Sequence, residues 1–206
     1  MAASRQALAG WRRWLLLGGF LGATALAGGG YSLYRTSSSH TFVGTEVDGA
    51  PRAEGVRLLS AGGVPLTLPG AWRSKLVLVF FGYTNCPDVC PLTMAQLAEV
   101  YRDLGEPEEV QVVMVTVDPE RDTPEIMAQY ARGFHPDFVG LSGTADAIAR
   151  AERAFFVGHN RVGAEVAHNS HVTLLDRDGR LRLVYTQGKV PALAKDLQTL
   201  LKRRPW

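Results

Sequence analysis

Cysteine is scarce in this sequence: Cys86 and Cys90 are the two cysteines among its 206 residues. No thiol is therefore available for lipid attachment near the N-terminus. The three residues between the cysteines also exclude the CxxC spacing of zinc sites and thioredoxin redox sites. Two thiols this close can form a disulfide, transfer electrons or bind a soft metal ion. A purely structural disulfide is the weaker alternative, since closing so small a loop stabilises little through chain entropy.

Acidic residues are absent before Glu46, and three arginines precede an uncharged run from Trp14 to Tyr34. As a helix this run has a length of about 31 Å, the thickness of a bilayer core. The positive-inside rule then places the N-terminus in the cytoplasm and the rest of the chain on the extracytoplasmic face. We expect residues 1–35 to form a membrane anchor; the alternative is a signal peptide cleaved after Ala27.

The chain also lacks internal repeats, low-complexity segments and a basic cluster with interleaved aromatic residues. Four of the 22 basic residues and none of the 20 acidic residues lie in the first 35 positions, so the basic excess belongs to the predicted anchor. Nucleic-acid binding is therefore not expected. We place a serine-rich tether at residues 36–54. Residues 55–206 are long enough for one domain with its own core.

Strand-like and helix-like segments alternate through residues 55–206. The hydrophobic segments Lys75–Phe81 and Val110–Val117 are typical of strands buried on both faces, and Thr123-Pro124 predicts the start of a helix. The full set of predicted elements also includes a hairpin at Gly55–Leu68, helices at Pro91–Leu104, Thr123–Arg132, Thr144–Phe155 and Pro191–Lys202, and strands at Phe138–Leu141, Val172–Leu175 and Leu181–Tyr185. This order predicts a thioredoxin-like α/β domain, in which helices flank a central mixed sheet.

The cysteines follow the first buried strand, at the sheet edge where α/β folds place their sites. We expect Cys86 in the loop and Cys90 near the first turn of the following helix. The helix N-terminus favours thiolate by lowering the thiol pKa. Pro87 and Pro91 restrict how the two sulfur atoms approach one another.

A metal ion bound by two thiolates usually needs a third ligand, and histidine is the obvious candidate. His40 and His135 are predicted to be solvated, and His159 to have a local structural role. His168 and His171 border a predicted strand, and either can face the cysteines, although side chains three positions apart on a strand point to opposite faces. The residues alone leave this choice open.

Three motifs of the chain occur together. They are Cys86-Pro-Asp-Val-Cys90-Pro91 after Phe-Phe-Gly-Tyr-Thr, the sequence VTVDPERDTP ending at Pro124, and a histidine eleven positions before Gly179, which is His168. In combination they resemble the Sco/SenC family of copper proteins, which assist assembly of the dinuclear copper site of cytochrome c oxidase. The resemblance covers the chain from about Gly55 to the C-terminus, and the single N-terminal anchor is similar too.

The resemblance implies that Cys86, Cys90 and His168 bind one copper ion per chain, as Cu(I) or Cu(II). It implies a metallochaperone on the extracytoplasmic face of the cytoplasmic membrane. Its partners are then the copper-bearing subunit of cytochrome c oxidase and other copper chaperones. One departure is Ala167, which stands where the family has an aspartate before the histidine, so that a group orienting the imidazole is missing. His171 is therefore the alternative ligand.

Four charged residues near these motifs are candidates for tuning the site or for contacting a partner: Asp88, Asp118, Arg121 and Asp122. Asp88 lies between the cysteines and either tunes the charge of the thiolates or is an exposed loop acid. The other three either form a turn, a helix cap and a local ion pair, or line the copper site or the partner surface.

Thiol-disulfide exchange is the alternative function, because thioredoxin-like folds also host oxidoreductases. In this interpretation Cys86 and Cys90 are catalytic and reduce the cysteines of a copper-receiving partner. No histidine is needed, so loss of function in a His168 variant argues against it. Both activities can coexist, since copper delivery requires reduced thiols in the recipient. Whether the chain is an enzyme therefore stays open.

Overall fold

A six-stranded sheet organises the part of the chain that the computed structural model describes, residues 41–162, 165–168, 170–203 and 206. Its strands, in spatial order, are β1 (Thr45–Glu46), β10 (Leu181–Thr186), β9 (His171–Leu175), β4 (Leu76–Gly82), β5 (Val110–Thr116) and β6 (Val139–Leu141). Every residue of β4 and β5 is buried, as expected of strands that are covered on both faces.

Two hairpins accompany the central sheet. In the first, β2 (Val56–Leu59) pairs with β3 (Pro65–Leu68) around a 3₁₀ turn at Ala61–Gly63. In the second, β7 (His159–Val162) pairs with β8 (Glu165–His168). β8 is the strand that precedes β9 in the chain.

The strand directions bring three distant segments to one edge of the sheet. β4 and β5 are parallel, so the loops that follow Gly82 and Thr116 leave from the same edge. β9 is antiparallel to β4, so its first residue, His171, lies at this edge as well. The cysteine loop, the segment from Asp118 to Asp122 and the approach to β9 therefore converge. We call this the cysteine edge.

Four α-helices flank the sheet within the described residues. They are α1 (Val89–Asp103), α2 (Pro124–Arg132), α3 (Ala145–Ala154) and α4 (Leu193–Lys202). α2 begins as its sequence predicts: the Thr123 hydroxyl accepts a hydrogen bond from the Ile126 N–H at 3.3 Å, and Pro124 occupies the first helical position. Pro124 is favourable there because the missing N–H has no partner inside the helix.

The predicted α/β architecture, a central sheet flanked by helices, is confirmed, and the predicted strands and helices end within two residues of the observed bounds. The sequence pattern did not predict β1 or the β7–β8 hairpin. The compact unit begins at Phe42, within the stretch of residues 36–54 predicted as a tether. Glu46 pairs with Leu183, and Ala53 is fully buried. A strand of two residues carries no periodicity from which it can be predicted.

The predicted anchor, residues 1–35, lies outside the described residues, together with the serine-rich start of the tether. In the part of the chain that is described, none of the helices combines the length and the apolar character needed to span a bilayer.

Candidate metal centre

The two cysteines are free thiols in direct contact at the N-terminus of α1. Cys86 is half-buried in the loop, whereas Cys90 lies in the first helical turn and is 0% exposed. The Cys90 thiol donates a hydrogen bond to the Cys86 sulfur. The Cys90 N–H also donates to the Cys86 Sγ, at 3.4 Å. Cys86 is therefore the accessible acceptor of this pair and Cys90 the buried donor.

Burial raises the pKa of the Cys90 thiol far above its ordinary value, and the hydrogen bond to Cys86 raises it further. A hydrogen bond with the backbone of Tyr83 opposes this shift, while the charges of Cys86 and Asp122 add to it. The prediction that the helix N-terminus lowers the thiol pKa is therefore wrong for Cys90, because removal from water outweighs the helix dipole. Without a metal ion, Cys90 is protonated at neutral pH.

Gly82 makes room for the buried Cys90 sulfur. A Cβ atom at this position would lie 2.9 Å from the Cys90 Sγ and 2.9 Å from the Phe80 Cε1. The Gly82 carbonyl accepts a hydrogen bond from the Val117 N–H at 2.9 Å, which holds the backbone in place. The sulfur can therefore pack against the end of β4 because residue 82 has no side chain.

Asp122 connects the cysteine loop to the neighbouring strand. Its buried carboxylate accepts hydrogen bonds from the Thr84 N–H at 3.1 Å, the Thr84 hydroxyl at 2.5 Å and the Thr116 hydroxyl at 2.7 Å. The Ser142 hydroxyl donates to the Asp122 carbonyl oxygen at 2.5 Å. Three donors on one carboxylate compensate for its burial, and they fix the loop two residues before Cys86.

Asp118 and Arg121 form a local structural pair. The Arg121 Nε donates to the buried Asp118 carboxylate, and the Asp118 carbonyl accepts from the N–H groups of Arg121 and Asp122. This geometry agrees with the interpretation of a turn and a local ion pair, although Thr123 caps α2. Asp88 is exposed before α1 and makes no side-chain capping bond, which agrees with an exposed loop acid.

Both candidate histidine ligands belong to the segment that approaches the cysteine edge. His168 ends β8, and its side chain lies outside the described part of the structure. His171 begins β9 and is half-buried; burial lowers its pKa, opposed by a hydrogen bond with the Phe155 backbone. A lowered pKa keeps the imidazole neutral, which is the form that binds metal ions. The assignment of His168 as a ligand stays a prediction.

His135 is buried, so the prediction that it is solvated is wrong. Its ring packs edge-on against Tyr101, with 4.9 Å between the centroids. Its Nδ1 accepts a hydrogen bond from the Asp137 N–H at 3.3 Å, which leaves the ring proton on Nε2, 3.3 Å from a Glu106 carboxylate oxygen. Among the described side chains, these three residues have the spacing of metal ligands, but they lie at the end of β5 opposite the cysteine edge.

Three residues that shape the site were not identified from the sequence: Gly82, Thr84 and Thr116. All three lie at or just beyond the ends of β4 and β5. The rule that parallel strands end at a shared edge was the available signal. This rule indicates which edge of the sheet holds the site. It does not indicate that Asp122 accepts hydrogen bonds from Thr84 and Thr116, because that contact joins segments that are far apart in the chain.

Comparison with known proteins places this site in a family. The SCO1/SenC family model matches residues 66–202. Protein SCO2 homolog, mitochondrial, from Bos taurus is 38% identical over 127 residues, which are 57% of this chain and 48% of that protein. The chain spans about half the length of the curated relatives it matches.

Solved structures share the fold over a larger part of the chain. Apo Sco1 from Thermus thermophilus is 39% identical with a TM-score of 0.68, covering 80% of this chain and 99% of that chain. ScoI from Bradyrhizobium japonicum, solved with copper bound, is 32% identical with a TM-score of 0.60, covering 75% and 99%. The family match includes both cysteines, Asp122 and both candidate histidines. The chain therefore belongs to the SCO1/SenC family.

Proposed function

We propose that this protein binds one copper ion and delivers it to the copper-bearing subunit of a cytochrome c oxidase. The proposed ligands are Cys86, Cys90 and His168. The observation that carries the proposal is the pair of free thiols in mutual contact, in a chain of the SCO1/SenC family. Further support comes from ScoI of Bradyrhizobium japonicum, a relative at 32% identity that has copper bound.

The donor set suits a soft cation that is passed on. Thiolates select Cu(I), and one added imidazole also accommodates Cu(II). Uptake of copper must remove the proton that burial holds on Cys90, so binding is coupled to proton release. Cys86 is the half-exposed sulfur, which gives another protein access to the ion. A site of three ligands with one accessible sulfur allows transfer by stepwise ligand exchange.

We further propose that residues 1–35 anchor the chain and that the domain acts on the extracytoplasmic face. The support is the uncharged run from Trp14 to Tyr34, preceded by arginines and by no acidic residue. Residues 55–206, together with the segment from Phe42, form the copper-binding domain in this proposal. A short tether would keep the cysteine edge near membrane-bound partners.

Thiol-disulfide exchange is a second candidate, favoured by the unequal exposure of the two sulfurs. The Cys86 thiolate would attack one sulfur of a partner disulfide and expel the other as a thiolate. The Cys90 thiolate would then attack the Cys86 sulfur of the mixed disulfide and release the second partner thiolate. The partner gains two electrons, the chain is oxidised to the Cys86–Cys90 disulfide, and an external thiol reductant must restore it.

Transfer to the isolated copper-bearing domain of an oxidase subunit distinguishes the two functions. The copper-loaded chain is mixed with reduced recipient, and the reduced metal-free chain is mixed with oxidised recipient. Two equivalents of the chain, one loaded with Cu(I) and one with Cu(II), should together generate the EPR signature of a mixed-valence dinuclear site in one recipient, and the Cys86→Ser variant should generate none. If copper stays on the chain while the metal-free chain rapidly reduces the recipient, delivery is overturned in favour of thiol exchange.

A further inference from the structure

The hydroxyl of Tyr130 is buried and has no hydrogen-bond partner among the residues that the structure describes. Phenol hydroxyl groups in protein interiors are nearly always paired, because an unpaired polar group loses its hydrogen bonds to water without replacement. Such a group in a native structure calls for an explanation, such as an unseen ligand or a role in the chemistry of a site. The position of Tyr130 indicates which site this is.

Tyr130 lies on α2, on the side that faces the cysteine loop. With Ile126, one turn earlier, it lines an apolar groove that also contains Thr84. Phe134 packs edge-on against its ring, with 5.2 Å between the centroids. The groove therefore joins α2 to the loop that Asp122 holds two residues before Cys86.

The charged groups that act on the phenol are those of the proposed copper site. Burial raises the pKa of Tyr130 to about 12, and after burial the contributing groups are Cys90, Cys86 and Asp122. The hydroxyl is therefore protonated at neutral pH and is available as a donor. The Asp122 carboxylate already accepts three hydrogen bonds, which leaves the two sulfurs as the nearby groups whose demand for donors changes with the state of the site.

In the metal-free state the sulfurs satisfy each other. The Cys90 thiol donates to Cys86, whose sulfur also accepts from the Cys90 N–H. Binding of a soft metal ion removes the thiol protons, so each sulfur becomes a negatively charged acceptor. A phenol hydroxyl beside the loop, without a partner among the described residues, is then a donor available to one of them.

We propose that Tyr130 is a positioning residue whose hydroxyl donates a hydrogen bond to a sulfur of the Cys86–Cys90 pair when that pair holds a metal ion. This inference rests on the proposed function, since it assigns Tyr130 to the same site. In the metal-free fold the hydroxyl has no hydrogen-bond partner among the described residues. It stabilises the thiolate form and thereby the metal-loaded state.

The test compares Tyr130→Phe with Tyr101→Phe in the reduced full-length chain. Tyr101 is the matched control, because its hydroxyl donates to Asp137 at 3.4 Å, near the opposite end of the sheet. We expect Tyr130→Phe to leave the unfolding midpoint of the metal-free chain unchanged or raised, because an unpaired buried group is removed. We expect its copper affinity to fall about tenfold, the effect of one hydrogen bond to a charged acceptor.

The spectrum of the metal-loaded chain supplies a signal that packing alone does not change. Loss of a donor to a thiolate raises the energy of the sulfur electrons. The sulfur-to-Cu(II) charge-transfer band of Tyr130→Phe should therefore move to longer wavelength. Tyr101→Phe should lower the unfolding midpoint and leave both the affinity and the band unchanged. A Tyr130→Phe chain with the affinity and band of the wild type, or with a lowered metal-free midpoint, overturns the inference.

A parallel titration with Cd²⁺ separates this inference from the proposed function. Cd²⁺ reports on the thiolate pair through its own sulfur charge-transfer band, whether or not the chain takes up copper. A wild-type chain that binds Cd²⁺ but not copper overturns the copper proposal, and the response of Tyr130→Phe to Cd²⁺ still decides the role of Tyr130. A wild-type chain that binds neither ion overturns both.

Discussion

Thr84 is held at two points by Asp122, which lies 38 positions further along the chain: the carboxylate accepts from the Thr84 N–H and from its hydroxyl. This contact joins the two motifs that the sequence analysis treated separately. Because Thr84 lies two residues before Cys86, the position of the first sulfur depends on an acid from the neighbouring strand's loop. The segment from Asp118 to Asp122 is therefore part of the framework of the site.

Replacement of Asp122 by alanine should destabilise the chain by about 3 kcal/mol. The change leaves three donors in the buried cluster of Thr84 and Thr116 without their acceptor. Urea unfolding of the metal-free chain measures the loss, and hydrogen exchange at the Thr84 amide should become faster. The exposed acid Glu99 on α1 is the control, because Glu99→Ala should change stability by less than about 0.5 kcal/mol. Equal stability of the two variants would contradict the role of Asp122.

Replacement of Gly82 by alanine should disturb the site from within. The added Cβ would meet the Cys90 sulfur at 2.9 Å, and forcing a methyl group into a packed core costs about 1–3 kcal/mol. We expect lower stability and weaker copper binding, because Cys90 must move. Gly188→Ala is the matched control, since a Cβ there has nothing within 4 Å. If Gly82→Ala behaves like Gly188→Ala in urea unfolding and in copper titration, the packing argument is wrong.

The stability of the reduced, metal-free chain should fall as pH rises above about 8.5, the ordinary range of a cysteine thiol. The pKa of Cys90 is raised in the folded state, so the unfolded chain loses this proton at a lower pH than the folded chain does. Deprotonation therefore favours the unfolded state, and the free energy of unfolding falls. The slope for this one group approaches about −1.4 kcal/mol per pH unit. Below pH 8.5 the contribution is fully present.

Unfolding by urea between pH 7.5 and 9.5 in the presence of a reductant checks this prediction. Tyrosines begin to ionise towards the upper end of this window in the unfolded chain, but they are the same in both chains compared below. Cys90→Ser is the comparison, because serine does not titrate there, and the difference between the two slopes isolates the contribution of Cys90. Parallel curves for the wild type and Cys90→Ser would show that burial does not hold the proton on Cys90.

The main elements of the fold were predictable because their patterns are local. The continuous hydrophobic segments of β4 and β5 indicated buried strands, and Thr123-Pro124 located the start of α2. The position of the cysteines followed from these elements, since a loop after a buried parallel strand lies at a known edge of the sheet. Local sequence was therefore sufficient to place Cys86 in a loop and Cys90 in the first turn of a helix.

The features that the sequence did not reveal depend on contacts between distant segments. The β7–β8 hairpin has mixed polar and apolar residues without a strong alternation, so its strands were missed. The burial of His135 depends on Tyr101 and Phe138, and the raised pKa of Cys90 on its burial. The helix N-terminus indicates the direction of one electrostatic effect, whereas the net shift depends on how deeply the sulfur is buried.

The ligand assignment at the proposed copper site is tested most directly by Cu(II) EPR on the reduced chain and on two histidine variants. We expect one equivalent of bound copper, with sulfur-to-copper charge transfer and nitrogen hyperfine coupling. His168→Ala should lose the nitrogen coupling and bind Cu(II) more weakly, whereas His171→Ala should retain both the coupling and the affinity. Loss of Cu(II) in His171→Ala, with a normal spectrum in His168→Ala, would contradict the assignment of His168 as the third ligand beside Cys86 and Cys90.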